Sequence, residues 1–182
     1  MRIRRLLLTA WFLAVVCAGY AGVAFSTSVS RSAFGDGGWC KADPVRDSGN
    51  APDITTVCVG STSDGTIELR ARTRAIISNK DQLMFSVDAD LNRRTGGTSG
   101  FDYWLGSSEG HMVVLQVKPT KQLHLPSFHA FIRSHDLILL LNRRDLVNTT
   151  RFRFYAWSQR GQTYGDDAPD GGALLTYTLP RQ

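Results

Sequence analysis

The chain has few of the residues that coat long helices. Of its 182 residues only 2 are Glu and 4 are Lys, against 14 Asp and 17 Arg. Glu and Lys favour helix surfaces, whereas Asp favours turns and oxygen-ligand metal loops. No stretch sustains a 3.6-residue apolar period, which excludes the crossover helices of a parallel α/β sheet. The four histidines, His111, His124, His129 and His135, lack the His-x-x-x-His spacing with a third partner that marks a zinc site. At 42% hydrophobic and 20% charged residues, a disordered or collagen-like chain is excluded, and the length suits one domain.

Long apolar runs are scarce too. One, from Leu6 to Ala24, follows Arg2, Arg4 and Arg5 and spans 19 residues. The basic start, the apolar run and the small residues Gly22 and Ala24 pattern residues 1–24 as a signal peptide, with an uncleaved membrane anchor as the competing reading. Either makes the expected location secreted or extracytoplasmic, with membrane contact only where the segment stays uncleaved. The formal charge of +5 then loses its meaning as a nucleic-acid footprint, because residues 1–24 hold three of the 21 basic residues and no acid, leaving +2. No nucleic-acid partner is expected. Residues 25–38, rich in Ser and Gly, have the composition of a flexible linker, so the folded domain is placed at 39–182. Two of the three cysteines, Cys40 and Cys58, fall there. In an oxidising compartment they are expected to pair.

What the domain does contain is a series of short period-two runs bounded by turn residues. From Thr66 to Ala75, Ile67, Leu69, Ala71 and Thr73 alternate with Glu68, Arg70, Arg72 and Arg74, one row for a core and one for water. Phe85, Val87 and Ala89 form a second apolar row; Val113, Leu115 and Val117 a third; Phe128, Ala130 and Ile132 a fourth. Phe152 and Phe154 alternate with Arg151 and Arg153. With Ile54–Val59, Phe101–Leu105, Asp136–Leu141 and Ala173–Leu179, the count is about nine strands, and Asn142–Asn148 has room for one helical turn. The predicted fold is all-β, an antiparallel β-sandwich of immunoglobulin-like or jelly-roll-like type.

The densest polar constellation runs Asp88-Ala-Asp90-Leu-Asn92-Arg-Arg-Thr95-Gly96-Gly97, then Gly100-Phe-Asp102-Tyr103. Oxygen ligands at alternate positions, followed by glycines that let the loop curl, suit a Ca²⁺ ion and its six to eight oxygens. The competing reading is that Asp88 and Asn92 only cap backbone turns. Asp88 and Asp90 end a strand on the side away from Phe85 and Val87, and Asp102 returns to close the site. A second acidic run, Asp166-Asp167-Ala-Pro-Asp170, is placed in the loop before the last strand, with Asp167 and Asp170 as weaker metal candidates and a solvated turn as the alternative. Sugar rings bury well against flat side chains, and Trp104, beside the predicted metal loop, and then Trp157 are the first candidates for such a platform.

The order of Ser48–Ile54, Asp64-Gly-Thr-Ile67, Phe85-Ser-Val-Asp-Ala-Asp90 with Thr95-Gly96, Gly100-Phe-Asp-Tyr103, Phe154–Trp157 and Asp167-Ala-Pro-Asp170 resembles bacterial secreted β-sandwich domains akin to family 9 carbohydrate-binding modules and the wider DOMON-like group. The resemblance spans roughly residues 43–179. It implies structural calcium at Asp88, Asp90, Asn92 and Asp102, and a polysaccharide or cell-surface glycan as partner. Ala89 and Leu91 depart from the Thr and polar residues expected between the acids, and Arg93 and Arg94 add positive charge there. The expected protein is an exported, calcium-stabilised β-sandwich binding module for carbohydrate or the cell surface. Its alternatives are an extracytoplasmic hydrolase using loop carboxylates, and a haem-binding redox module with Met84 or Met112 and a histidine as ligands.

Overall fold

The computed structural model describes residues 37–43, 46–97, 99–117 and 119–181. The expected signal segment lies outside the described residues, as does all but the end of the expected linker. The described chain forms twelve strands: β1 (Trp39–Ala42), β2 (Ile54–Ser61), β3 (Thr66–Thr73), β4 (Asp81–Asp88), β5 (Tyr103–Ser108), β6 (His111–Gln116), β7 (Lys121–Gln122), β8 (His129–Arg133), β9 (Asp136–Asn142), β10 (Arg151–Arg160), β11 (Thr163–Ala168) and β12 (Leu175–Thr178). Two short 3₁₀ turns, Arg143–Leu146 and Asp170–Gly172, are its helical content. The first falls within Asn142–Asn148, where a helical turn is expected, and the Asn142 side chain accepts from the Arg144 N–H at its start.

All the strand pairs are antiparallel. One sheet has the order β1-β2-β3-β9-β8; the other runs β11-β10-β4-β5-β6-β7, with β12 alongside the first half of β10. This is the expected β-sandwich, with three strands more than the periodicity indicates. The additional strands include β1, the two-residue β7, and β11, which holds Asp166 and Asp167 in a region expected to be a loop.

The two inner faces are the rows that alternation marks as apolar. Ile67, Leu69, Leu137, Leu139 and Leu141 of the five-stranded sheet meet Leu83, Phe85, Val87, Leu105, Phe152 and Phe154 of the other, all fully buried. Each contributes about 1.5–3 kcal/mol by leaving water. Phe154 is the hub of an aromatic cluster, with its ring 5.6 Å from Phe152, 6.3 Å from Phe85 and 6.1 Å from Trp39. Tyr177 joins through Phe152 and meets the hydroxyl of Ser61 at 2.8 Å, so its one polar atom is satisfied inside the core.

One expected row is reversed. Val114, not Val113 and Leu115, sits in the core, and Leu115 lies opposite Trp104 on the outer side of the sheet. Cys40 and Cys58 are direct cross-strand partners on β1 and β2 and form the expected disulfide, with S–S 2.07 Å. It closes a loop that carries Asp43, Asp47 and Asp53.

Candidate functional site

Strand alternation places Tyr155, Trp157 and Gln159 of β10 on the outer face of the seven-stranded sheet, because Phe154, Ala156 and Ser158 point inward. Trp104 of β5 points the same way, between the buried Tyr103 and Leu105. The two tryptophans singled out in the sequence therefore meet. Their rings are 6.3 Å apart at 79°, and the Trp157 indole N–H donates to the Ser86 hydroxyl at 3.1 Å, which orients it. Tyr164 of β11 lies 6.3 Å from Trp157 with the planes 21° apart, extending the strip. Phe101 packs on Tyr155 at 5.3 Å.

These rings, with Val117, line an open groove of about 480 Å³ whose polar lining includes Ser99, Thr120 and Gln159. Trp104 is 36% and Tyr164 54% exposed, so the strip is presented to solvent. The Tyr164 hydroxyl donates to Asp167 Oδ1, and burial together with that contact raises its pKa. Among the described residues lining the groove there is no carboxylate.

One end of the groove is made by the loop between β4 and β5. Oxygens of Asp88, Asp90 and Asp102 lie within 4.8 Å of one another there, as the spacing indicates. Asp88 is 1% exposed because Arg153, its register partner on β10, covers it as an ion pair. Its other oxygen, Oδ1, is buried without a hydrogen-bond partner. Asp102 Oδ2 accepts from the Ala89 N–H at 2.8 Å; burial nonetheless holds its pKa above the usual range. Burial acts against Asp90 too but is outweighed by the Thr95 hydroxyl and the Asn92 N–H, which hold its pKa low.

Asn92, the fourth residue of the expected set, follows two positions after Asp90, whose Oδ1 accepts from the Asn92 N–H at 2.8 Å. The Asn92 Oδ1 accepts from the Arg94 N–H at 3.1 Å, the turn-capping role. Gly96 makes the loop's return possible: at φ 64° a side chain there would sit 2.3 Å from the Phe101 carbonyl. That close approach brings Phe101 to the groove and Asp102 to the acids.

The second acidic run is divided. Asp167 faces Tyr164, whereas Asp170 groups with Asp43 and Asp166, and Asp166 groups again with Asp47 and Asp53. Asp43, Asp47, Asp53 and Asp166 are the residues that sequence reasoning missed. The available signal was the three aspartates inside the disulfide loop, but nothing local ties them to a strand so distant in the chain.

A Gly-x-Ser-x-Gly string does occur at Gly106-Ser-Ser-Glu-Gly110. It is the β5–β6 hairpin, where Ser108 pairs with His111, rather than the strand-to-helix turn of a hydrolase nucleophile. Comparison with protein families, curated proteins and solved structures finds no match to this chain.

Proposed function

We propose that the protein is an exported carbohydrate-binding module whose ligand lies in the groove over Trp104, Trp157 and Tyr164. The observation that carries this reading is the exposed aromatic strip itself, flanked by Ser99, Thr120 and Gln159. Sugar rings present C–H faces that desolvate against such rings and hydroxyls that polar side chains can orient. Binding is favoured over glycoside hydrolysis because hydrolysis requires paired carboxylates at the scissile bond, and the described groove lining offers none.

Calcium fits this reading as a structural cofactor at Asp88, Asp90 and Asp102. The donor set is all oxygen, and the buried, unpartnered Asp88 Oδ1 is an acceptor in want of a cation. An ion there would hold the loop that supplies Gly97, Ser99 and Phe101 to the groove. Arg153 already balances one of the three charges, so the ion's part is to draw Asp90 and Asp102 onto Asp88.

The test is a calorimetric screen of the protein against soluble polysaccharides with calcium and with a chelator. Heat of binding to a glycan that disappears in Trp157→Ala supports the groove, and weaker binding in chelator supports the loop calcium. Absence of binding to every glycan, or binding unaffected by Trp104→Ala and Trp157→Ala, sinks the proposal.

A further inference from the structure

The acids gathered around Asp166 form a cluster separate from the groove and its loop. They come from two directions. Asp43 follows β1, and Asp47 and Asp53 lie on the disulfide-closed connection to β2; Asp166 is in β11 and Asp170 in the 3₁₀ turn beyond it. The two sides are brought together by backbone contacts. The Ile54 N–H donates to Asp166 Oδ2 at 2.5 Å, and the Ser158 hydroxyl to the Pro52 carbonyl at 2.6 Å. Gly165 permits the approach, since a Cβ there would be 2.1 Å from that of Ala51.

Three carboxylate oxygens at this junction are buried with no hydrogen-bond partner: Asp43 Oδ2, Asp53 Oδ1 and Asp166 Oδ1. Their residues are only 3%, 8% and 3% exposed, so water cannot readily satisfy them. The charge is equally unbalanced. Arg74 pairs with Asp53 through its other oxygen, and no other ion pair to these five acids is found among the described residues. Such a concentration of buried negative charge persists in a fold only when something neutralises it.

The chemistry of the donors selects the counter-charge. There is no His or Cys in either group, which disfavours zinc and other soft or borderline ions; carboxylate oxygens alone suit a hard cation. Within each trio, Asp43–Asp166–Asp170 and Asp47–Asp53–Asp166, the oxygens lie within 4.8 Å of one another, no wider than the span of about 5 Å between ligands on opposite sides of one Ca²⁺, and Asp166 belongs to both.

We propose that Asp43, Asp47, Asp53, Asp166 and Asp170 form a second calcium site, centred on Asp166, that fastens the disulfide-closed loop to β11 and so one sheet of the sandwich to the other. This inference goes beyond glycan binding and does not depend on it.

The test is calcium titration calorimetry on the full chain, with thermal melting alongside. Calcium raises the melting temperature of the wild type by about 5–10 °C when well above its dissociation constant. Asp166→Asn and Asp170→Asn each weaken one class of calcium site at least ten-fold, and Asp88→Asn leaves that class intact. Asp170 is exposed, so Asp170→Asn keeps the test valid even where Asp166→Asn does not fold. In chelator, Asp170→Asn melts at or above the wild type, because one of several mutually repelling charges is gone; in calcium it melts below it. A merely structural aspartate would not reverse sign in this way. Calcium binding and melting unchanged in both variants overturn the site, as does a wild type that melts identically with calcium and with chelator. Because Asp88→Asn reports on the groove loop, failure of that loop's calcium leaves this result readable.

Discussion

The two sheets turn similar apolar faces inward and very different faces outward. On the five-stranded sheet the outward row of β3 is charged, and its charges are answered in place: Arg72 donates two hydrogen bonds of 2.9 Å to Asp136, its register partner on β9, and Arg70 meets Glu68 at 3.1 Å. On the seven-stranded sheet the corresponding surface carries Trp104, Trp157, Tyr155, Tyr164 and Leu115. A row of paired charges is at rest in water. A strip of exposed aromatic rings has apolar area still to be buried, and that area is the free energy available to a ligand. On the proposed reading one sheet is scaffold and the other carries the recognition surface.

That division can be broken most forcefully through the disulfide, which belongs to the scaffold. Replacing Cys40 and Cys58 by Ser should lower stability by about 3 kcal/mol in denaturant titrations. Glycan affinity should be unchanged wherever the protein is still folded; loss of affinity at full folding would show that the two sheets are not separate in function. The converse experiment removes a ring. Trp157→Ala should weaken glycan binding by about 2 kcal/mol, roughly 30-fold in calorimetry, with Trp104→Ala close behind.

The junction between the sheets gives a pH-dependent effect. Burial, with the nearby charges of Asp170 and Asp166, pushes Asp43 up to about 8; burial, outweighing the Ile54 N–H and reinforced by Asp47 and Asp53, pushes Asp166 up to about 7. Both start from 3.8, so between these values the folded state holds protons that the unfolded chain has lost. In metal-free protein, stability should therefore fall as the pH rises from about 5 to about 8 and level off beyond. Melting curves that rise over that window would contradict the burial of these acids. Calcium should flatten the dependence, because it stabilises the ionised form. The smallest effect is expected from Arg72→Ala, at about 0–1 kcal/mol of stability and no change in glycan affinity, since an exposed ion pair contributes little. A loss of affinity there as large as that of Trp157→Ala would move the recognition surface to the other sheet.

How legible each part was depends on what lies on both sides of it. β3 was clear because its Ile, Leu and Ala positions face a core while its Arg and Glu positions face water. His111-Met-Val-Val-Leu-Gln116 was not, since both of its faces are largely apolar: one packs in the core and the other borders the aromatic groove. Alternation cannot choose between two apolar rows. β11 escaped notice because Thr-Tyr-Gly-Asp-Asp-Ala has turn composition. It is a strand because the long β10 offers it an edge, with Trp157 opposite Asp167 and Ser158 opposite Asp166. The site shows the same pattern. Asp88, Asp90 and Asp102 were readable together because one loop carries them.

The sequence by itself determined the β class, from its alternation and its lack of helical period. It also determined the disulfide, from the two cysteines of one domain, and an acid-rich loop, from the local spacing of Asp and Gly. These are properties of short segments, where side-chain direction follows from position along the strand. The tertiary structure alone decided that Trp104, Trp157 and Tyr164 share a groove, and that Ile54 and Asp166, 112 residues apart, touch so that two trios of aspartates form around Asp166. Strand order and register set those meetings, and they arise when two sheets bury one another's faces, a collective balance that no single segment contains.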